Sequence, residues 1–183
     1  AMGHPTAKTL AILALAVVGC STPPEDPLSD EAIEDVISDE GDADGDQWSG
    51  TYALALSQTT CDCPTIAGVI NLCEQIATGN QVEVDVVQTG GYVQVAIEGY
   101  QLGGPVDQTG SFAAAGLFDL TTVVSNGDLT VRLDGQFMKG SSDTASLEGV
   151  LVFRIDGSLA QEDLVCERSD NADGPRVAEP ADE

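Results

Sequence analysis

Five cysteines, one histidine and a large surplus of carboxylates are the residues most able to do chemistry in this chain. Cys61, Cys63, Cys73 and Cys166 form an even set, which in an exported chain reads as two disulfides. Cys61 and Cys63 lie too close along an extended segment to bond each other, so each seeks Cys73 or Cys166. One bond is then local, and the other ties the C-terminal end to the barrel. Zinc on four thiolates wants two Cys-x-x-Cys knuckles and finds one Cys-x-Cys and two singles, so no metal is expected. The single histidine, His4, lies in an N-terminal leader, which excludes Ser-His-Asp triads, Cys-His pairs and histidine-ligated metals from the chain beyond that leader. Carboxylate acid–base chemistry needs two carboxyls in one cleft with their pKa values pushed apart. Glu83, Asp85, Asp134 and Glu148 instead fall on the solvent face of alternating segments. A non-catalytic domain without a cofactor is the expectation.

Short alternating strands have to position these residues. Tyr52, Leu54 and Leu56 share a face, as do Val82, Val84 and Val86; Val93, Val95 and Ile97; Leu129, Val131 and Leu133; and Leu147, Leu151, Phe153 and Ile155. Period-two alternation marks a sheet with one face buried and the other wet. The strands are expected at 48–58, 81–88, 92–98, 101–106, 111–124, 129–138 and 144–156, with an eighth near 163–167. Turn residues separate them at Gly90-Gly91, Asp107 to Gly110, Asn126-Gly127 and Lys139 to Asp143. Asn126-Gly127 supplies the positive φ pair of a tight hairpin, so 117–124 and 129–138 should be antiparallel neighbours. The fold class is therefore all-β, an antiparallel meander of seven or eight strands, preferred as a small closed barrel because closure removes exposed edges. Between the first two strands, Ile66, Val69, Ile70, Cys73 and Ile76 have helical spacing. A continuous helix from Pro64 would hold Cys73 about 15 Å from Cys63, so a loop and then one short helix after Asn71 is expected, lying over one barrel mouth.

Charge divides the chain further. Of 31 acids against 6 bases, net charge −25, residues 21–47 hold eleven acids and no base. Such a balance excludes nucleic acid as a partner, since phosphate is bound through Lys and Arg. It predicts a flexible acidic tether over 20–47, a domain over 48–168 and a disordered acidic tail over 169–183. A flexible chain of the tether's length spans on the order of 30 Å. Within it Leu28, Ala32, Ile33, Val36 and Ile37 have helical spacing behind a Ser29 cap, a short helix marginal in isolation. It either docks in a partner's groove or only solvates the tether. Asp42, Asp44 and Asp46 alternate like the first ligands of a calcium loop. Gln47 stands where that loop needs glycine and Ala53 where it needs the bidentate Glu, so solvated charge is expected.

Lys8 precedes a nine-residue apolar run, Leu10 to Val18, too short for a span of roughly 20 residues and matched to an export signal over 1–19. Val17-Val18-Gly19-Cys20 resembles the bacterial lipobox. That resemblance implies cleavage after Gly19, diacylglycerol on the Cys20 sulfur and a further acyl chain, such as palmitate, on the new N-terminus. Two or three chains hold where one would not, each buried methylene contributing about 0.8 kcal/mol. Ser21 rather than Asp comes after the cysteine, and the resemblance then implies the outer membrane of a bacterial envelope.

Trp48-Ser49-Gly50-Thr51-Tyr52 at the head of a meander resembles small lipocalin-like barrels, which implies an arginine covering Trp48, Arg154 or Arg168. Two functions are then expected. One is a membrane-anchored module that binds a small apolar or amphiphilic ligand, with Tyr52, Tyr92, Tyr100 and Phe112 as candidate lining residues. The other is a structural or protein-interaction component of the envelope with no small-molecule ligand.

Overall fold

A computed structural model of the protein describes residues 26–66, 70–71, 73, 81–120, 125–140, 144–159 and 162–179. Among these residues one helix, α1 (Asp30–Ser38), precedes ten strands: β1 (Gly50–Asp62), β2 (Thr65–Ile66), β3 (Ile70–Asn71), β4 (Gln81–Thr89), β5 (Tyr92–Ile97), β6 (Tyr100–Pro105), β7 (Ser111–Asp119), β8 (Ser125–Lys139), β9 (Ala145–Leu159) and β10 (Glu162–Ala178). Eight of them close into an antiparallel barrel in the order β1-β10-β9-β8-β7-β6-β5-β4, while β2 and β3 form a small hairpin between β1 and β4. The described helix thus lies before the first strand; of the helix expected after Asn71, only Cys73 is among the described residues.

Alternation places the aliphatic positions inward. Leu54, Val84, Val95, Val131, Leu133, Leu147 and Leu151 are fully buried in one core. Two strand ends depart from the sequence-based expectation. The segment 169–178, expected as disordered tail, is the second half of β10 and closes the barrel, pairing Asp170 with Gln58, Ala172 with Leu56 and Ala178 with Thr51. Its inward positions include Arg168, Asp170 and Ala172, so apolar alternation could not reveal it. Asn126-Gly127 does not turn the β7–β8 hairpin. Asp119 pairs with Asp128 and Leu120 N–H donates to the Gly127 carbonyl at 2.7 Å, so the chain reverses before Asn126. Register is held instead by Phe112 opposite Gly135, where an added Cβ would come within 3.0 Å of the Phe112 ring. A turn at Asn126-Gly127 would pull that ring from its seat against Phe137, 4.4 Å away.

From Asp26 onward, the segment expected as free tether is docked. Ser29 caps α1, its hydroxyl accepting from Ala32 N–H. Ile33 and Leu28 are buried on the outside of the barrel against Ala115, with Val36, Ile37 and Val152 around them. Val36 fits because Gly104 has no side chain; a Cβ there would strike the Ala113 carbonyl and reach 3.0 Å from Val36. Tyr92 donates its hydroxyl to the Ile37 carbonyl at 3.0 Å. Beyond α1 the backbone bonds the barrel rim, Gly41 N–H to the Gly91 carbonyl and Ala43 N–H to the Val106 carbonyl. A marginal helix becomes stable because its apolar stripe is buried.

Candidate functional site at the open end of the barrel

The two barrel ends are built from different chemistry. At the end where β1 begins, Phe137 stacks on Trp48 at 5.5 Å and on Phe112 at 4.4 Å, and Tyr52 lies 5.6 Å away. Tyr52 donates to the Trp48 carbonyl at 2.8 Å, and burial pushes its phenol up to about 12. These rings fill the interior and close this end. Tyr52 and Phe112, candidate lining residues from the sequence, are therefore core. Lys139 lies over the Trp48 ring, with Nζ 5.7 Å from the centroid. Neither arginine suggested by the lipocalin resemblance covers the Trp48 ring. Arg154 lies on the outer wall, paired with Asp156 and Asp26, and Arg168 lies toward the other end of β10. Arg176 instead donates to the Gln47 and Ser49 carbonyls on either side of Trp48.

At the opposite end the strands are uneven. β1, β8, β9 and β10 run 13 to 17 residues, whereas β4 to β7 run 6 to 9, so one wall stands taller than the other. Leu56, Tyr100, Phe118, Leu120, Phe153 and Ile155 form a half-buried apolar rim on the core. A recess of about 30 Å³ opens there among Leu56, Val82, Ile97, Glu98, Tyr100 and Phe153, enough for a water or a methyl group. Tyr100 packs on Phe118 at 4.8 Å. Glu98 holds a left-handed φ of 49° in the two-residue turn that borders the recess. Of the four aromatic candidates, only Tyr100 reaches this recess; Tyr92 is on the outer wall, holding α1.

The tall wall carries both disulfides. Cys61 bonds Cys73 across 12 residues with Cα atoms 5.9 Å apart, and Cys63 bonds Cys166 across 103 residues with Cα atoms 4.1 Å apart. One bond is local, as expected; the other joins Cys166 to the residue just after β1, and the C-terminal end it ties is itself the barrel strand β10. Cys166 points inward with Leu164, so the start of the insertion is fastened to the inner side of β10. Among the described residues, Cys61, Cys63 and Cys73 form the one cluster of metal-type donors, and all three are committed to disulfides. The Asp42 carboxylate accepts from Gln108 N–H at 3.0 Å and its carbonyl from Gln108 Nε2 at 3.2 Å. Asp42 is thus a backbone clamp, and Ala43 beside it is buried in the core.

Below the disulfides lies a pair that sequence reasoning missed. Arg168 donates from Nε to Asp170 Oδ2 at 2.7 Å and from Nη2 to Oδ1 at 2.6 Å, with the side chains 5% and 0% exposed. Arg168 faces Phe153 and Asp170 faces Leu151 across the strand pair, which places the ions inside the barrel wall. A sequence signal did exist: Arg-x-Asp recurs at 132–134, 154–156 and 168–170, and i, i+2 spacing puts both side chains on one strand face. The outer two copies grip the docked segment ahead of α1, a strap across the outer wall. Arg132 Nη1 donates to the Pro27 carbonyl at 3.1 Å, and Arg154 Nη1 pairs with Asp26. The Leu28 N–H and then Arg154 hold the Asp26 carboxyl below its usual range. Thr109, with backbone donors around it, does the same to Asp107 at the closed end. Residues 17 to 20, the segment expected from the sequence to be a lipobox, lie outside the described residues. In comparisons with known proteins, the chain matches no family model and no curated sequence.

Proposed function

We propose that this chain is a lipid-anchored lipoprotein of the bacterial envelope, held through Cys20 in the outer membrane, whose β-barrel is a non-catalytic interaction module. The observation that carries the reading is the filled interior: Trp48, Tyr52, Phe112 and Phe137 occupy one end, and Leu, Ile and Val side chains with the buried Arg168–Asp170 pair occupy much of the remainder. A barrel packed this way presents an outer surface rather than an internal chamber to its partner.

The decisive experiment joins metabolic palmitate labelling with crosslinking in cells. A labelled protein that recovers a specific envelope protein supports the proposal. An unlabelled protein that washes from the envelope at high salt overturns the anchor, and a labelled one that recovers nothing above background overturns the interaction role. A second reading, binding of a small apolar or amphiphilic molecule, is favoured by the half-buried rim around Tyr100. Such a ligand would insert one end at the rim. Native mass spectrometry of protein taken from its own membranes distinguishes this reading by a retained small molecule.

A further inference from the structure

We infer that the barrel lies with the outer wall of β8 and β9 against the bilayer, on a short leash, with zwitterionic lipid as the surface it meets. The inference rests on the proposed lipidation of Cys20. Three observations carry it. The chain is fixed to the barrel wall from Asp26, held by Arg154 of β9, with the Pro27 carbonyl held by Arg132 of β8 and Leu28 buried beside Val152. Cys20 to Asp26 is six residue steps, at most about 21 Å of extended chain. Docking therefore replaces the long tether with a leash too short to lift the barrel clear of the membrane.

The wall around that exit has the right surface. Leu117, Val150 and Val165 are 37%, 40% and 55% exposed on the outer faces of β7, β9 and β10. In register, Leu117 pairs with Thr130, which pairs with Arg154, and Val165 pairs with Asp156 two residues along from Arg154. Val150 lies four residues from Arg154 on the same strand face. At about 4.8 Å between strands and about 3.4 Å per residue, all three fall within roughly 14 Å of the exit. Asp119, Asp128, Asp156 and Glu167 share these rows, a set that repels anionic headgroups and suits the ammonium of phosphatidylethanolamine. Val87, by contrast, is 54% exposed on β4, which adjoins neither β8 nor β9 in the barrel order.

The test uses the full lipidated protein, its lipid mass confirmed, in phosphatidylcholine–phosphatidylethanolamine vesicles. Val150→Cys, Val165→Cys and Val87→Cys variants are each labelled with a nitroxide. Labels at 150 and 165 are expected to show a several-fold higher ratio of oxygen to water-soluble nickel accessibility than the label at 87. Releasing the strap with Leu28→Ala and Ile33→Ala together with Asp26→Asn should erase that contrast while the protein stays on vesicles. Equal ratios at all three positions in lipidated, vesicle-bound protein overturn the orientation and leave the anchor standing. A chain purified without the lipid mass overturns the anchor and this inference together.

Discussion

Three adjoining strands carry the same Arg-x-Asp spacing, and the barrel uses it in opposite ways. On the outer wall, Arg132–Asp134 and Arg154–Asp156 keep their ions in water, and the spare guanidinium nitrogens reach the docked strap. On the inner face, Arg168–Asp170 is sealed among Leu151, Phe153 and the Cys166 disulfide. The Coulomb attraction of an exposed pair is small because water screens it. A buried pair has lost its hydration and depends on its partner, so each ion is needed chiefly because the other is there. Identical residue types at identical spacing therefore differ in consequence only through the strand face they occupy.

Breaking the inner pair should have the largest effect. Asp170→Ala leaves the Arg168 guanidinium buried without its carboxylate and is expected to cost about 3–5 kcal/mol, whereas Asp156→Ala on the outer wall should cost under about 1 kcal/mol. Urea unfolding of both variants checks this, and equal losses would erase the contrast. Removing the bond beside the inner pair, as Cys63→Ser with Cys166→Ser, should cost about 2–5 kcal/mol. The Cys61–Cys73 bond closes 12 residues rather than 103, so its loss should cost less by about 2 kcal/mol in thermal or chemical denaturation.

A buried titrating group and an exposed one should differ in the same way. Tyr52 ionises in the folded barrel only near 12, and in the unfolded chain near its ordinary value of 10. The unfolded state therefore loses its proton first, and stability should fall by up to about 1.4 kcal/mol per pH unit between those values. Tyrosinate absorbance should show one ring ionising together with unfolding. Asp26 runs the other way and more weakly. Its carboxyl is held below the ordinary 3.8, so strap docking is supported above that value and weakens as pH falls below it. Asp26 is half exposed, so Asp26→Asn should cost under about 1 kcal/mol and less at high salt. Hydrogen exchange at Ile33 is the sensitive measure, and unchanged protection in acid would separate docking from the ion pair.

Much of the barrel was legible because its inward residues are aliphatic. Val82, Val84 and Val86, then Val93, Val95 and Ile97, announce their strands and their buried face. The start of β10 was expected near 163–167, but its continuation was hidden for the converse reason, since Arg168 and Asp170 occupy inward positions and mimic a solvated tail. Asn126-Gly127 misled because a turn propensity is worth less than the seat of Phe112 between Gly135 and Phe137. The α1 helix was visible from its spacing and cap, but its dock was not. Gly104, Ala115 and Tyr92 come from three strands and make a seat only when those strands are neighbours. The aromatic candidates scattered for a related reason, because residue type does not tell whether a ring fills a core, holds a helix or borders a recess.

Local periodicity by itself determined the strands β1 and β4 to β9, the helix α1 and an antiparallel meander, because alternation and caps act between residues a few positions apart. Cysteine parity pointed further to two disulfides. Only the tertiary structure decided that β10 closes the barrel, that the strap is clamped to the outer wall, and which cysteines pair. Each of those outcomes turns on residues far apart in the chain, such as Cys63 with Cys166 at 103 positions and Arg154 with Asp26 at 128, and their energies exist only once closure has brought the strands together.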